Sequence, residues 1–270
     1  LSDSEILDSK LNNVKSFYDP ILIAFGENPI DLNEYKKFLF EKFESLKDLI
    51  VDNNFINTNF DTKKILFEGA QGSLLDLDYG AYPYVTSSNT ISPYIPIGSA
   101  INKNYETLGI FKAYATRVGN GPFPSELSNE IGDYMAEKGF EFGTVTKRKR
   151  RCGWLDLVAL KYSCLINNTQ ELCITKVDVL NDLDEVQICK SYNGKLYNQI
   201  NFASNSALEN IKLQENDFQK FDKWGNLTGM NSYQSIPKAL KVFIEYIENY
   251  LEIPITIISF GPDRNETIIK

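Results

Sequence analysis

The chain has 270 residues, 43% of them hydrophobic and 13% aromatic, enough for a substantial core in one large domain or two small ones. Its 28 Lys and Arg stand against 36 Asp and Glu, and a net charge of -8 disfavours a nucleic-acid partner, because phosphate-backbone binding wants a broad basic face. No histidine is present, which excludes a histidine triad, metal site or acid–base pair within these residues, and no run of ~18 apolar residues offers a membrane span.

The opening residues Leu1-Ser2-Asp3-Ser4-Glu5 lack the basic-then-apolar pattern of a secretory signal, and Cys152, Cys164, Cys173 and Cys189 show no C-x-x-C spacing. Reduced thiols and a cytoplasmic location are expected. Asp31 with Glu34 reads as a capping box. Behind it Leu32, Tyr35, Phe38, Leu39, Phe43, Leu46 and Ile50 recur at helical spacing, so a helix is predicted to end near residues 52–54. Lys64-Ile65-Leu66-Phe67 reads as a short strand running into Glu68-Gly69-Ala70-Gln71-Gly72. Open α/β sheets place ligands at such strand-to-turn junctions. The hydroxyl-rich residues 82–90 suit sugar or phosphate oxygens, or a long loop capped by its own Ser and Thr side chains.

Residues 108–116 read as one strand, ending at Arg117-Val118-Gly119-Asn120-Gly121-Pro122. Leu155, Val158, Ala159, Tyr162 and Leu165 fit a helix, and Leu172-Cys173-Ile174 a buried strand. Residues 185–189 alternate like a strand, with a turn expected at Asn193-Gly194, and residues 201–224 read as an irregular surface excursion. Ser235 is expected to cap a helix with Pro237 in its first turn and Leu240, Phe243, Ile244, Ile247 and Leu251 on its buried face. Residues 255–259 form a last strand before Phe260-Gly261-Pro262-Asp263-Arg264. The recurrence of helix, strand and turn predicts one α/β domain over residues 1–270, with a mainly parallel central sheet, flanking helices and the site along one sheet edge.

Two turns carry chemistry. Lys147-Arg148-Lys149-Arg150-Arg151 follows Gly143-Thr144-Val145-Thr146. Adjacent cations repel, and an anion relieves the strain; glycine, hydroxyl and guanidinium donors suit phosphate or carboxylate oxygens. A solvated loop, a nuclear address or a nucleic-acid patch fits the same five letters. At the end of the strand at 172–174 stands Thr175-Lys176-Val177-Asp178. A carboxylate there accepts from the paired N–H donors of guanine, which adenine does not offer.

Together these turns resemble the adenylosuccinate synthetase family. The resemblance rests on Phe67-Glu68-Gly69-Ala70-Gln71-Gly72, residues 82–90, Thr116-Arg117-Val118-Gly119 with Gly121-Pro122-Phe123-Pro124, Arg150-Arg151-Cys152-Gly153-Trp154-Leu155-Asp156, Thr175-Lys176-Val177-Asp178 and Gly261-Pro262-Asp263-Arg264, in the family's order. It implies a P-loop-NTPase-like synthetase fold without its N-terminal part. It also implies a ligase that joins IMP to L-aspartate using GTP, acting as a homodimer in the cytoplasm, with no nucleic-acid or membrane partner. By resemblance, Gln71 contacts the IMP base, Thr86 the IMP phosphate, and Val118 the aspartate pocket. Thr144, Val145, Thr146, Lys147, Arg148, Lys149 and Arg150 form the loop that closes on aspartate; Arg148 also meets IMP and Arg150 the nucleotide. Lys176, Val177 and Asp178 form the guanine pocket with Ser259, Phe260 and Gly261. The Gly-rich phosphate loop, the catalytic Asp and His and the Mg²⁺ ligands are expected upstream of Leu1, so these residues alone are expected to be inactive. Val145-Thr146-Lys147 replaces the family's Thr-Thr-Gly. That leaves open a ligase with a changed amino-acid or purine substrate, or a non-catalytic relative that binds guanine nucleotide or IMP.

Overall fold

The computed structural model describes residues 3–52, 54–143 and 147–270. The chain divides into two compact units, Leu1–Asn59 and Phe60–Lys270. In the first, Asp3 accepts from the Ile6 N–H at 3.0 Å and starts α1 (Ser4–Ala24), a helix the sequence reading leaves unassigned. Asp31 caps α2 (Leu32–Leu46) as predicted, accepting from the amides of Asn33 and Glu34 at 2.8 and 3.2 Å. Lys36 reaches Asp8 at 2.5 Å, and Asp19 accepts from the Ile30 N–H at 2.8 Å, which ties the two helices together. α2 stops earlier than predicted: at Leu46 the chain tightens into a 3₁₀ turn, and α3 (Phe55–Asn59) closes the unit.

The second unit runs α4 (Ile95–Ser99), β1 (Leu108–Lys112), β2 (Tyr114–Arg117), α5 (Glu130–Lys138), β3 (Arg151–Asp156), α6 (Leu157–Ile166), β4 (Glu171–Thr175), β5 (Glu185–Cys189), α7 (Asn205–Glu209), β6 (Phe218–Asp222), α8 (Lys238–Leu251), β7 (Ile255–Ser259) and β8 (Thr267–Ile269). One sheet has the order β1-β4-β7-β8, parallel except for its edge strand β8; the other is mixed, in the order β2-β3-β5-β6. Ile174 and Ile258 are fully buried, as strands covered on both faces require. The predicted face of α8 is borne out, since Leu240, Phe243, Ile244, Ile247 and Leu251 are each at most 1% exposed. Phe243 stacks edge-on against Phe221 at 5.2 Å and packs on Trp224 at 5.0 Å. No helix among the described residues is long and apolar enough to cross a membrane.

Five local expectations change. Residues 64–70 are irregular rather than a strand, because extended chain becomes a strand only where a ladder partner takes its N–H and C=O groups. The strand predicted at 108–116 is two, because at Ala113, whose amide donates to Thr175 O at 2.8 Å, the chain passes from one sheet to the other. Leu155 lies in β3, and α6 begins only after Asp156, whose Oδ1 accepts from the Ala159 amide at 3.0 Å. The excursion at 201–224 contains β6, which pairs with β5, and it buries Phe202 and Trp224. Ser235 does not cap α8; its hydroxyl bonds Ser232 O at 2.8 Å, and Pro237 stands at the cap position.

Candidate functional site

The guanine-type turn and residues 259–261 stand at the carboxyl ends of β4 and β7, and Gln71 and Thr86 belong to a separate loop. The stretch from Gly72 to Ile91 is folded around one buried carboxylate. Asp76 is 0% exposed and accepts from the amides of Asp78, Tyr79, Thr90 and Ile91 at 2.6–3.3 Å. Burial opposes its charge, yet those N–H groups hold the carboxyl below its usual range. Gly80 is required there, because a Cβ would lie 2.5 Å from the carbonyl oxygens of both Asp76 and Leu74. This folding brings two of the three predicted IMP residues together: Gln71, held at φ 66°, points Nε2 at Thr86 Oγ1, 3.5 Å away, while the third, Arg148, stands in the basic run. Arg117, at the end of β2, donates to Tyr84 O at 3.2 Å and so docks this loop beside the basic run, its register partner being Arg151. Val118, next along, is 56% exposed.

Three of the five cations of the basic run pair with the chain's own carboxylates. Lys149 pairs with Asp133 of α5, Arg150 with Glu141 at 2.8 Å, and Arg151 with Glu126. Arg151 also donates to Gly119 O and Gly121 O at 3.2 and 2.9 Å and sits over the Phe123 ring, so it braces a loop rather than facing a ligand. The loop closes as a narrow ladder: Phe142 bridges Lys149, Gly143 N donates to Arg148 O at 2.9 Å, and Arg150 N to Glu141 O at 2.8 Å. Lys147, at φ 53°, and Arg148 are exposed. Thr144, Val145 and Thr146 lie outside the described residues.

The guanine-type turn follows β4. Lys176 is held in the left-handed region at φ 59°, a conformation that costs a side-chain-bearing residue ~1–2 kcal/mol. It persists because its ammonium donates to Gly139 O and lies 3.3 Å from Glu141. Val177 is 0% exposed in the core, so its backbone alone can face a ligand; Phe260 is likewise buried. Trp224 donates from Nε1 to Val177 O at 3.1 Å and fixes the turn from below, a role the sequence reading does not contain. Asp178 Oδ1 is buried and without a hydrogen-bond partner among the described residues. Burial raises its carboxyl pKa against the pull of Lys176. Ile174 of β4 pairs with Ile258 of β7, so residues 259–261 lie beside this turn, as expected for one pocket. Phe260 N donates to Glu266 O at 2.9 Å, and a Cβ on Gly261 would strike the Glu266 carboxylate at 2.1 Å.

The fold is that of an α/β protein with mostly parallel strands and flanking helices. A family model described as adenylosuccinate synthetase matches residues 1–268. Curated relatives named adenylosuccinate synthetase, from Flavobacterium johnsoniae and from Buchnera aphidicola subsp. Schizaphis graminum, are 47% and 43% identical over 92% and 100% of this chain. The solved structure of fully ligated adenylosuccinate synthetase from Plasmodium falciparum is similar at TM-score 0.83 and 36% identity, covering 96% of this chain. The chain belongs to the adenylosuccinate synthetase family. It spans 60% and 64% of the length of those two relatives and 63% of that structure.

Proposed function

We propose that the protein is a ligase that converts GTP, IMP and L-aspartate to GDP, phosphate and adenylosuccinate. The observation that carries this reading is the buried, unpartnered Oδ1 of Asp178 beside the strained Lys176. A buried carboxylate oxygen without a donor costs free energy unless a ligand supplies one. Guanine presents two adjacent N–H donors to such a carboxylate, while the stem of Lys176 lies along the ring. Gln71 and Thr86, brought together at the Asp76 loop, take the IMP base and its phosphate. The guanidinium of Arg148 forks onto an aspartate carboxylate and IMP, Arg150 faces the nucleotide, and Val118 lines the amino-acid pocket. Residues 144–147 and Lys149 complete that loop, and Ser259, Phe260 and Gly261 close the guanine pocket.

The reaction then runs in two steps. The N1 proton of IMP passes to a base in the family's remaining length, the 6-oxygen of IMP attacks the γ-phosphorus of GTP, and the bond to the bridging oxygen breaks to release GDP. The aspartate amine next adds at C6 and loses a proton, and the C–O bond breaks to release phosphate. Both steps depend on holding three anionic substrates in register, which is what clustered cations on rigid strand ends provide. Magnesium is implied by the family. Among the described residues no three Cys, Asp or Glu side chains are grouped to hold a metal, and no step is drawn through it. In this reading the phosphate loop, the catalytic Asp and His and the metal ligands belong to the family's remaining length, and the protein works as a cytoplasmic homodimer.

Asp178→Asn in the full-length protein tests the assignment. It replaces one acceptor with a donor facing the guanine amino group. The expected result is a loss on the order of 100-fold in kcat/KM for GTP with a gain for xanthosine triphosphate, whose base presents an acceptor there. An unchanged preference among purine triphosphates would refute the guanine assignment.

A further inference from the structure

Glu141 does not figure in the sequence reading, yet its carboxylate is the point where three elements of the site converge. Its backbone is pinned by two bonds: its amide donates to Ala136 O, closing the C-terminus of α5, and its carbonyl accepts from Arg150 N, both at 2.8 Å. The side chain is 0% exposed. Oε2 accepts from Arg150 Nη1 at 2.8 Å. Oε1 accepts from Lys112 Nζ at 2.8 Å, from the Tyr114 hydroxyl at 2.7 Å, and lies 3.3 Å from Lys176 Nζ. Lys112 ends β1, Lys176 follows β4, and Arg150 closes the arginine loop, so one carboxylate holds two neighbouring strand ends and the loop above them.

The charges do not balance. One carboxylate faces three cations, and those cations are 25–37% exposed on the side away from it. A purely structural buried pair needs one partner per charge. Here an excess of positive charge is concentrated and turned outward, as a polyanion requires. Burial and the hydrogen bonds from Lys112, Tyr114 and Arg150 oppose each other at Glu141, and the bonds win, holding its pKa at about 2. Lys112 moves down under burial and the nearby Arg150 and Lys176 despite its bond to Glu141, the behaviour of a cation crowded by others. Arg150 Nε is buried without a hydrogen-bond partner among the described residues, and the contact of Nη1 with Glu141 anchors the guanidinium.

We propose that Glu141 is a positioning residue that couples the two substrate subsites, by holding Arg150 and Lys176 on one buried carboxylate and so fixing the arginine loop against the guanine-reading turn. The inference rests on the roles given above to Arg150, Lys176 and Asp178. Without the negative charge, Lys112, Lys176 and Arg150 repel one another, and both subsites lose their geometry together, whereas the Gln71–Thr86 loop is organised by Asp76 and keeps its own.

The test is steady-state kinetics of the full-length protein and its Glu141→Gln, Arg150→Leu and doubly substituted forms. Glu141→Gln is expected to raise KM for GTP and for aspartate together by about 10-fold or more while KM for IMP moves less than about 3-fold. The double variant is expected to be no more than about 3-fold worse than Arg150→Leu, because the two residues act as one unit. A fall in kcat with all three KM values unchanged, or effects that multiply in the double variant, would overturn the proposal. Should Glu141→Gln fail to fold, Tyr114→Phe removes one donor to Glu141 without removing volume; about a 2- to 5-fold rise in KM for both GTP and aspartate is expected, and unchanged values refute it. If Arg150→Leu and Asp178→Asn leave the GTP and aspartate responses intact, the functional reading itself fails. If those variants are impaired while Glu141→Gln is silent, only the positioning role falls.

Discussion

Asp156 gives a pH dependence whose sign follows from the structure. It ends β3, caps α6 and accepts a bond from the Tyr192 hydroxyl, all within the core. Burial pushes its carboxyl up to about 6, against the bonds from Tyr192 and the Ala159 amide. A carboxyl raised in the folded state stabilises the fold most below its unfolded pKa and loses that contribution as pH climbs through the folded value. The whole shift is worth on the order of 3 kcal/mol, of which on the order of 1 kcal/mol is lost between pH 5 and pH 8. Asp156→Asn keeps a capping oxygen and removes the ionisation. Urea unfolding of both proteins at pH 5, 6, 7 and 8 should show the substituted protein gaining on the original as pH rises, by on the order of 1 kcal/mol across that range. A difference that stays flat, or one that shrinks with pH, would show that Asp156 does not ionise in a buried site, and the reasoning would fall.

Two further outcomes follow from contacts beneath the site. Trp224→Phe keeps an aromatic ring against Phe243 but removes the donor to Val177 O, so a loss of about 1–2 kcal/mol in urea unfolding is expected, with the KM for GTP rising more than that for IMP. Gly80→Ala drives a Cβ against two backbone carbonyls and should cost about 1–3 kcal/mol and weaken IMP saturation, whereas Gly98→Ala, with nothing within 4 Å, should leave stability nearly unchanged in the same melts.

Much of the site was legible because its chemistry is local. Thr175-Lys176-Val177-Asp178, residues 82–90 and the five-cation run are short strings that can be read as candidate sites without a distant partner, and helical spacing alone picked out the buried face of α8. What escaped was whatever depends on a partner far along the chain. Lys64-Ile65-Leu66-Phe67 has strand composition, but a strand is a property of two segments, and residues 64–70 stay irregular.

Composition and motif order by themselves determined the α/β class and the family resemblance. Tertiary structure alone decided how the charge in the candidate site's turns is shared. Glu141, 35 residues before Lys176 and 9 before Arg150, carries no local motif, and nothing in its neighbours announces that Lys112, Tyr114, Arg150 and Lys176 will meet on it. Nor does the polar stretch at 201–224 reveal that Trp224 will reach Val177 O. Residue type sets what a side chain can bond; only the folded chain, by removing water and bringing distant groups into bonding reach, sets which bonds form and which buried atoms, such as Asp178 Oδ1, have no partner among the described residues.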